Sequence, residues 1–384
     1  PVLSSLAFDS DEYSAAFMWI SLTLLMTQLS TGQTAILRGL RRIKDVALST
    51  VIGSFLGLCV SVPFYYFFRA DGIVPALLMT SLITVLATWF FARKINTAKL
   101  PVRFADVLKD GREMVQMGFL ISLSGIITTA SSFILSVFIG RFGGVEDVGL
   151  YIAGFAILNT YVGMIFTAMG SDYFPRLAAA SNDAVKFRTA VNHQAEVALL
   201  ILAPVLVIFL LFSNWAIVLL YSTKFVAVTE MLLWAGLGVF FKAYSWAIAY
   251  MFIAKGAKKV FFWNEVISNS YLLVLNLAGY YFYGLLGLGV SFLIAYILYF
   301  LQVLFLANRL YGYYAERRFL VLFFVHLFIG VLSLLTVLSF ERSIPYYFLA
   351  TCLVVLSSVI SLRALDNRLN LNLVNAIRKN ARRS

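Results

Sequence analysis

The chain has 384 residues, of which 61% are hydrophobic and 12% are charged, about half the charged fraction of an ordinary soluble domain. This composition excludes a soluble globular fold and predicts an all-α bundle of transmembrane helices. The net charge of +12 does not indicate a nucleic-acid partner, because cytoplasmic loops of membrane proteins carry an excess of Lys and Arg.

Hydropathy predicts eleven membrane spans, each long enough to cross about 30 Å of hydrocarbon as a helix. In chain order they are 14–36, 46–68, 72–92, 114–140, 148–170, 190–212, 231–253, 260–283, 285–308, 319–340 and 344–362. The segment 104–115 and the tail after 364 place apolar residues at helical spacing, which is typical of helices lying on a membrane surface.

The basic residues predict the orientation of the spans. Of the 30 Lys and Arg residues, 25 fall on one side of the alternating loops and four on the other, while Lys242 lies inside a span. The positive-inside rule makes the first side cytoplasmic. We therefore expect a multi-pass membrane protein with Pro1 outside and the C-terminus in the cytoplasm.

An internal repeat relates spans one to three to spans seven to nine. Gly39 and Gly256, each in a basic turn, are 217 positions apart, whereas Gly72 and Gly287 are 215 apart, so the match has a two-residue slip. A period of six spans predicts two pseudo-symmetric six-helix lobes, and we expect the chain to lack the first three helices. The predicted regions are the remaining half of the N-lobe 1–92, the inter-lobe linker 93–113, the C-lobe 114–308, two extra spans 319–362 and a basic tail 363–384.

Four segments resemble polysaccharide flippases of the O-antigen (Wzx) type in the multidrug/oligosaccharidyl-lipid/polysaccharide superfamily. They are LRGLRRIKDVAL at 37–48, VGLYIAGFAILN at 148–159, SDYFPRLAAASND at 171–183 and LLYSTKFVAVTEMLLW at 219–234. The resemblance implies a transporter rather than an enzyme. It implies export of a polyprenyl-pyrophosphate-linked oligosaccharide, an O-antigen or related surface polysaccharide repeat unit, across the cell inner membrane by alternating access coupled to H⁺ or Na⁺. Its partners would be this lipid-linked sugar, membrane lipids and other membrane proteins of polysaccharide assembly.

Lys242 is the most distinctive candidate for substrate binding. A lysine near the bilayer centre costs at least about 2.5–3.5 kcal/mol, so it should face protein, water or a ligand. A pyrophosphate is one suitable partner, and a structural ion pair is the alternative. Glu265 is the nearest acid in sequence, but the two residues differ in depth by roughly 10 Å at 1.5 Å per residue, which disfavours a direct pair.

Polar residues within the spans are further candidates for substrate binding. Hydroxyl groups at helical spacing suit the hydroxyls of a sugar, and they equally suit close helix packing. These candidates are Thr27, Ser30, Thr34, Ser124, Thr128 and Asn159.

Three carboxylates are candidates for ion coupling: Glu265, Glu196 and Asp172. Burial can bring a carboxylate into a titratable range, which coupling to protons or sodium requires. The alternative is a carboxylate at headgroup level that nearby lysines or arginines neutralise. The cysteines and histidines are few and far apart, so the sequence predicts no metal site.

Two other functions compete with a flippase. A multidrug antiporter of the same superfamily binds lipophilic cations, which Lys242 would repel. A membrane polymerase or ligase of polysaccharides needs an extracytoplasmic loop that can hold a catalytic site, but the predicted outer loops are short apart from 213–230.

Overall fold

The computed structural model describes residues 14–95 and 104–369. Contacts divide the chain into two compact units, Pro1–Arg103 and Phe104–Ser384. The boundary falls inside the predicted linker 93–113, while most of the predicted basic tail lies outside the described residues. The described part of the chain is helical and contains no strand, which confirms the all-α prediction.

Between residues 14 and 95 the structure describes three long helices of the first unit, α1 (Ser14–Gly39), α2 (Ile43–Phe68) and α3 (Ile73–Ala92). Small residues let α2 and α3 pack closely. A Cβ added to Gly57 would lie 2.8 Å from the side chain of Thr80. This close approach replaces the hydrophobic driving force that helices lack inside a bilayer.

The second unit is built around its two most buried helices, α7 and α8. Its helices are α4 (Phe104–Phe142), α5 (Gly144–Ile157), α6 (Gly163–Ala179), α7 (Ala184–Leu220), α8 (Thr229–Ala254), α9 (Lys258–Tyr311), α10 (Arg317–Ser339) and α11 (Ile344–Leu369). A π-helical turn, Leu158–Val162, joins α5 to α6. The segment from residue 104 was expected to form a separate surface helix, but its backbone continues without a break into α4.

Helix α9 is two spans rather than one. At Gly284 the backbone takes φ +57°, and the chain reverses there. The arms on either side are antiparallel, because Ser291 donates a hydrogen bond of 2.6 Å to the Asn276 side chain. Among the described residues nine helices are long and apolar enough to cross a membrane. Because α9 contains two spans, these nine helices provide ten, and the 26-residue α1 adds one more. The total agrees with the eleven predicted spans.

Backbone conformation fixes the register of the internal repeat. Arg41 and Arg69 in the first unit have positive φ, and so do Gly256 and Gly284 in the second. Gly256 lies 215 positions after Arg41, and Gly284 lies 215 positions after Arg69. The same offset separates Gly72 from Gly287 in the sequence. The expected two-residue slip is therefore wrong, because Arg41, rather than Gly39, takes the left-handed conformation that matches Gly256.

The helices and their buried faces follow the same offset. Shifting α1 by 215 positions gives 229–254, the bounds of α8. Leu37 and its counterpart Phe252 are both fully buried, and Val46 and Phe261 are each 8% exposed. The two copies thus bury equivalent faces, and Lys242 occupies the position that Thr27 has in the first copy.

Candidate functional site

A cavity of about 320 Å³ opens within the second unit, along one face of α8. Lys242, Trp246 and Tyr250 are spaced four residues apart, so they form one line along that face. The two arms of α9 supply most of the opposite wall, and Thr128 of α4 completes it. The cavity therefore combines a cation, aromatic rings and hydrogen-bonding groups.

Lys242 faces this cavity without an ion-pair partner among the described residues. Its ammonium lies 5.3 Å from the ring centroid of Tyr296 and 5.8 Å from that of Phe292. Contacts of this kind contribute from about 0.5 to 2 kcal/mol and leave the positive charge in place. Glu265 lines the same cavity, but its carboxylate is not within 4 Å of the ammonium. The geometry therefore favours a cation available to an anion.

Glu265 is held by groups from both arms of α9. Its Oε1 accepts hydrogen bonds from the Tyr299 hydroxyl at 3.1 Å and from Asn264 Nδ2 at 3.3 Å. Gln302 in turn donates to the Asn264 side chain at 2.9 Å. This network fixes one carboxylate oxygen at the cavity wall. It is the one predicted coupling candidate that lies in the cavity.

Glu196 is placed elsewhere, in a buried ion-pair network. Its side chain is 1% exposed, and its two oxygens lie 3.2 Å from Arg318 Nε and 3.3 Å from Arg368 Nε. Arg368 also pairs with Glu316 at 3.7 Å. These contacts favour the alternative in which arginines neutralise Glu196.

Asp172 lies outside the cavity as well. Its side chain is 42% exposed and forms an ion pair of 3.9 Å with Arg176, one turn further along α6. Arg176 also donates to Gln194 on α7 at 2.9 Å. The arrangement ties α6 to α7 at the surface of the unit.

The polar candidates also separate into two groups. Thr128 lines the cavity. Ser124, four residues before Thr128 on α4, is buried and donates to the Leu120 carbonyl. Asn159 is exposed in the π-helical turn. Neither lines the cavity.

The remaining three polar candidates belong to the first unit. Ser30 is buried and accepts a hydrogen bond of 3.3 Å from Thr88, which is the helix-packing role. Thr27 is exposed and donates to the Thr23 carbonyl. Thr34 is partly buried.

Sequence reasoning missed several cavity residues. Trp246 and Tyr250 were detectable from their spacing behind Lys242. Tyr299, which lines the cavity, and Asn264, which hydrogen-bonds to Glu265, were not detectable, because their pairing requires the register of the α9 hairpin. Among the described residues no group of three or more His, Cys, Asp or Glu side chains is placed to hold a metal ion.

Comparison with known proteins identifies the family. A family model described as polysaccharide biosynthesis protein matches residues 1–230. The chain belongs to this family. The lipid III flippase of Escherichia coli is 23% identical to it over 298 residues, which cover 76% of this chain and 70% of that protein. The predicted resemblance to the superfamily is thereby confirmed.

Solved structures show the fold of this polysaccharide biosynthesis family member. A MATE protein in complex with MaL6 superposes with a TM-score of 0.63 at 18% identity, covering 77% of this chain and 69% of that one. Lipid II flippase MurJ, in an inward closed conformation, superposes with a TM-score of 0.59 at 14% identity, covering 92% and 74%. The family member thus has the transporter fold that these proteins share.

The match to the family model ends just before the line of cavity residues on α8. The matched region therefore leaves out the cavity-lining residues of α8 and α9 in this family member. A cation with no ion-pair partner in the described part of the chain, a hydrogen-bonded acid and several aromatic rings meet there, which is an arrangement that can bind an anionic, partly polar solute.

Proposed function

We propose that this protein moves a polyprenyl-pyrophosphate-linked oligosaccharide, a repeat unit of an O-antigen or related surface polysaccharide, across the bacterial inner membrane by alternating access. The relatives named as lipid II and lipid III flippases support a lipid-linked substrate. The observation that carries the proposal is the Lys242 ammonium, which faces a cavity with no ion-pair partner among the described residues. No covalent chemistry is required of the protein.

The position of Lys242 explains why an anion should bind there. It lies halfway along the 26 residues of α8, about 20 Å from either end at 1.5 Å per residue. A cation at this depth is unfavourable by at least about 2.5–3.5 kcal/mol without compensation. A bound pyrophosphate supplies the compensating charge. Lipophilic cations, the substrates of a multidrug antiporter, would be repelled.

Glu265 is the proposed coupling residue. It shares the cavity with Lys242, so a proton or Na⁺ bound at Glu265 removes negative charge that the pyrophosphate would otherwise meet. Ion and substrate binding would then be linked through electrostatics. The hydrogen bonds from Tyr299 and Asn264 connect this event to both arms of α9.

Substituting Lys242 tests the anchor. Lys242→Ala should abolish export while the protein level in the membrane stays normal, because removing a mid-helix charge that has no ion-pair partner among the described residues relieves a cost. Lys242→Arg should keep part of the activity, since the charge remains with a different shape. Lys224→Ala, which removes an exposed lysine outside the cavity, is the matched control. Lipid-linked sugar in the outer leaflet and protein level are measured in the same cells, and full export by a stable Lys242→Ala protein would end the proposal.

Substituting Glu265 tests the coupling. Glu265→Gln keeps the shape and the ability to accept hydrogen bonds but removes titration. Export by this variant should lose its dependence on pH or on sodium while membrane insertion is retained. An unchanged dependence on both ions would exclude Glu265 as the coupling residue.

A further inference from the structure

Trp246 and Tyr250 line the cavity, but the binding of a pyrophosphate by Lys242 does not require them. They follow Lys242 by one and two helical turns on the same face of α8. Two large rings beside the cavity-lining cation present an aromatic surface, hereafter the Trp246–Tyr250 surface, to whatever is attached to the anion.

The Trp246–Tyr250 surface is held rigidly from behind. The two rings contact each other with centroids 5.0 Å apart, and Phe166 and Tyr173 pack against Trp246 at 5.1 and 5.7 Å. Tyr173 is fully buried and donates to the Ala247 carbonyl at 2.8 Å. A ligand meeting this surface therefore finds it already ordered, which lowers the entropy lost on binding.

A second observation points to a polar ligand at the same place. The Tyr271 hydroxyl is buried and has no hydrogen-bond partner among the described residues, although Tyr271 lines the cavity. Buried hydroxyls normally have a partner. Ser268 and Asn269 lie in the same wall and add further polar atoms.

A pyranose ring matches both observations. Its C–H groups form an apolar face that is attracted to the negative face of an aromatic ring, while its edge carries hydroxyl groups that need hydrogen-bond partners. Residues four apart on a helix are about 5–6 Å from each other at Cβ. That separation suits a pyrophosphate on Lys242 with its first attached sugar on Trp246.

We infer that the Trp246–Tyr250 surface stacks against the first sugar of the substrate and that Tyr271 hydrogen-bonds one of its hydroxyls. This inference rests on the function proposed above and adds a site that distinguishes a glycosylated lipid from the bare polyprenyl pyrophosphate. Lys242 binds the part that the two lipids share. The aromatic surface binds the part that differs.

Competition between two lipids tests the inference. The purified full chain in nanodiscs is given equal amounts of polyprenyl pyrophosphate and of the same lipid carrying one pyranose, and native mass spectrometry measures the occupancy by each. The wild type should prefer the glycosylated lipid. Trp246→Leu should reduce this preference about two- to tenfold, the range expected for a lost aromatic contact, and leave binding of the bare lipid unchanged. Lys242→Ala should weaken both lipids together.

Three variants serve as controls. Trp246→Phe keeps an aromatic face and should retain most of the preference, whereas Tyr250→Leu should lower it independently. Trp263→Leu removes a 59% exposed tryptophan outside the cavity and should change nothing. Thermal unfolding of each variant checks the fold, and Tyr250→Leu decides the matter should Trp246→Leu fail to fold.

The outcomes separate this inference from the proposed function. If the folded Trp246→Leu and Tyr250→Leu proteins prefer the glycosylated lipid as strongly as the wild type does, the stacking inference is wrong. Lys242 then remains the anchor. Absence of binding of either lipid to the wild type overturns the proposed function itself.

Discussion

Replacing Glu196 by Gln should strongly destabilise the second unit. The carboxylate is 1% exposed and joins α7 to Arg318 of α10 and Arg368 of α11. Removing one partner of a buried ion pair costs about 3–5 kcal/mol, because the remaining charge is left uncompensated. Here the two arginine side chains are 45% and 20% exposed, so water solvates part of the released charge and we expect the lower end, about 3 kcal/mol.

The assay is thermal unfolding of detergent-solubilised protein, followed by size-exclusion chromatography of the fraction that remains folded. The double variant with Arg368→Gln should be less destabilised than the sum of the two single variants, since the second substitution removes a charge that the first left unpaired. Asp172→Asn is the matched control. Its ion pair with Arg176 is long and exposed, so its loss should cost less than about 1 kcal/mol.

One result would refute this reasoning. If Glu196→Gln unfolded at the wild-type temperature but exported substrate with an altered pH dependence, the carboxylate would serve ion coupling and the arginine contacts would be incidental. If the variant is unstable and the surviving protein keeps its pH dependence, the structural role holds.

The remaining predictions concern backbone turns and packing, and each is measured by the same thermal unfolding assay. Gly284→Ala should lower the free energy of unfolding by about 1–2 kcal/mol because φ is positive there. Arg41→Gly should raise the free energy of unfolding by a similar amount, and an opposite change in either variant would contradict the assigned turns. Gly287→Ala should prevent correct folding, because an added Cβ would overlap the backbone of the opposite arm of α9. Gly118→Ala is the control: it has open space at its Cβ position and should be neutral or slightly stabilising. Equal effects of Gly287→Ala and Gly118→Ala would contradict the close packing of the two arms of α9. Asn192→Ala should cost about 1–3 kcal/mol, since its side-chain oxygen accepts from the Tyr313 hydroxyl at 3.0 Å and from the Glu316 amide at 3.2 Å; wild-type stability would show that these bonds contribute little.

The sequence was sufficient to predict the helices, since a span of the bilayer needs a minimum apolar length and a helix satisfies all of its backbone hydrogen bonds within one segment. The break between spans eight and nine was also predictable, because it falls at Gly284. The register of the repeat was not predictable from the sequence. Arg41 adopts a positive φ, and no glycine at that position indicates this in the sequence.

The site was predicted only in part, for a similar reason. Lys242 was recognisable as an isolated charge in an apolar span. The sequence disfavoured a direct ion pair with Glu265, and none joins the two side chains in the structure, although both line the same cavity. The partners of Glu196 come from residues more than 100 positions away, and no local pattern predicts which distant arginine will pack against a buried acid.

The gap-free repeat makes the two copies equivalent in length and in the positions of their turns. Residues 14–92 and 229–307 have equal length, and their turns fall at matching positions, so one stretch can be spliced in place of the other without adjusting a loop. Such a chimaera would carry a lysine at both positions now occupied by Thr27 and Lys242. It would test whether the transporter works because its two repeat copies are alike in shape or because they have become unlike in charge.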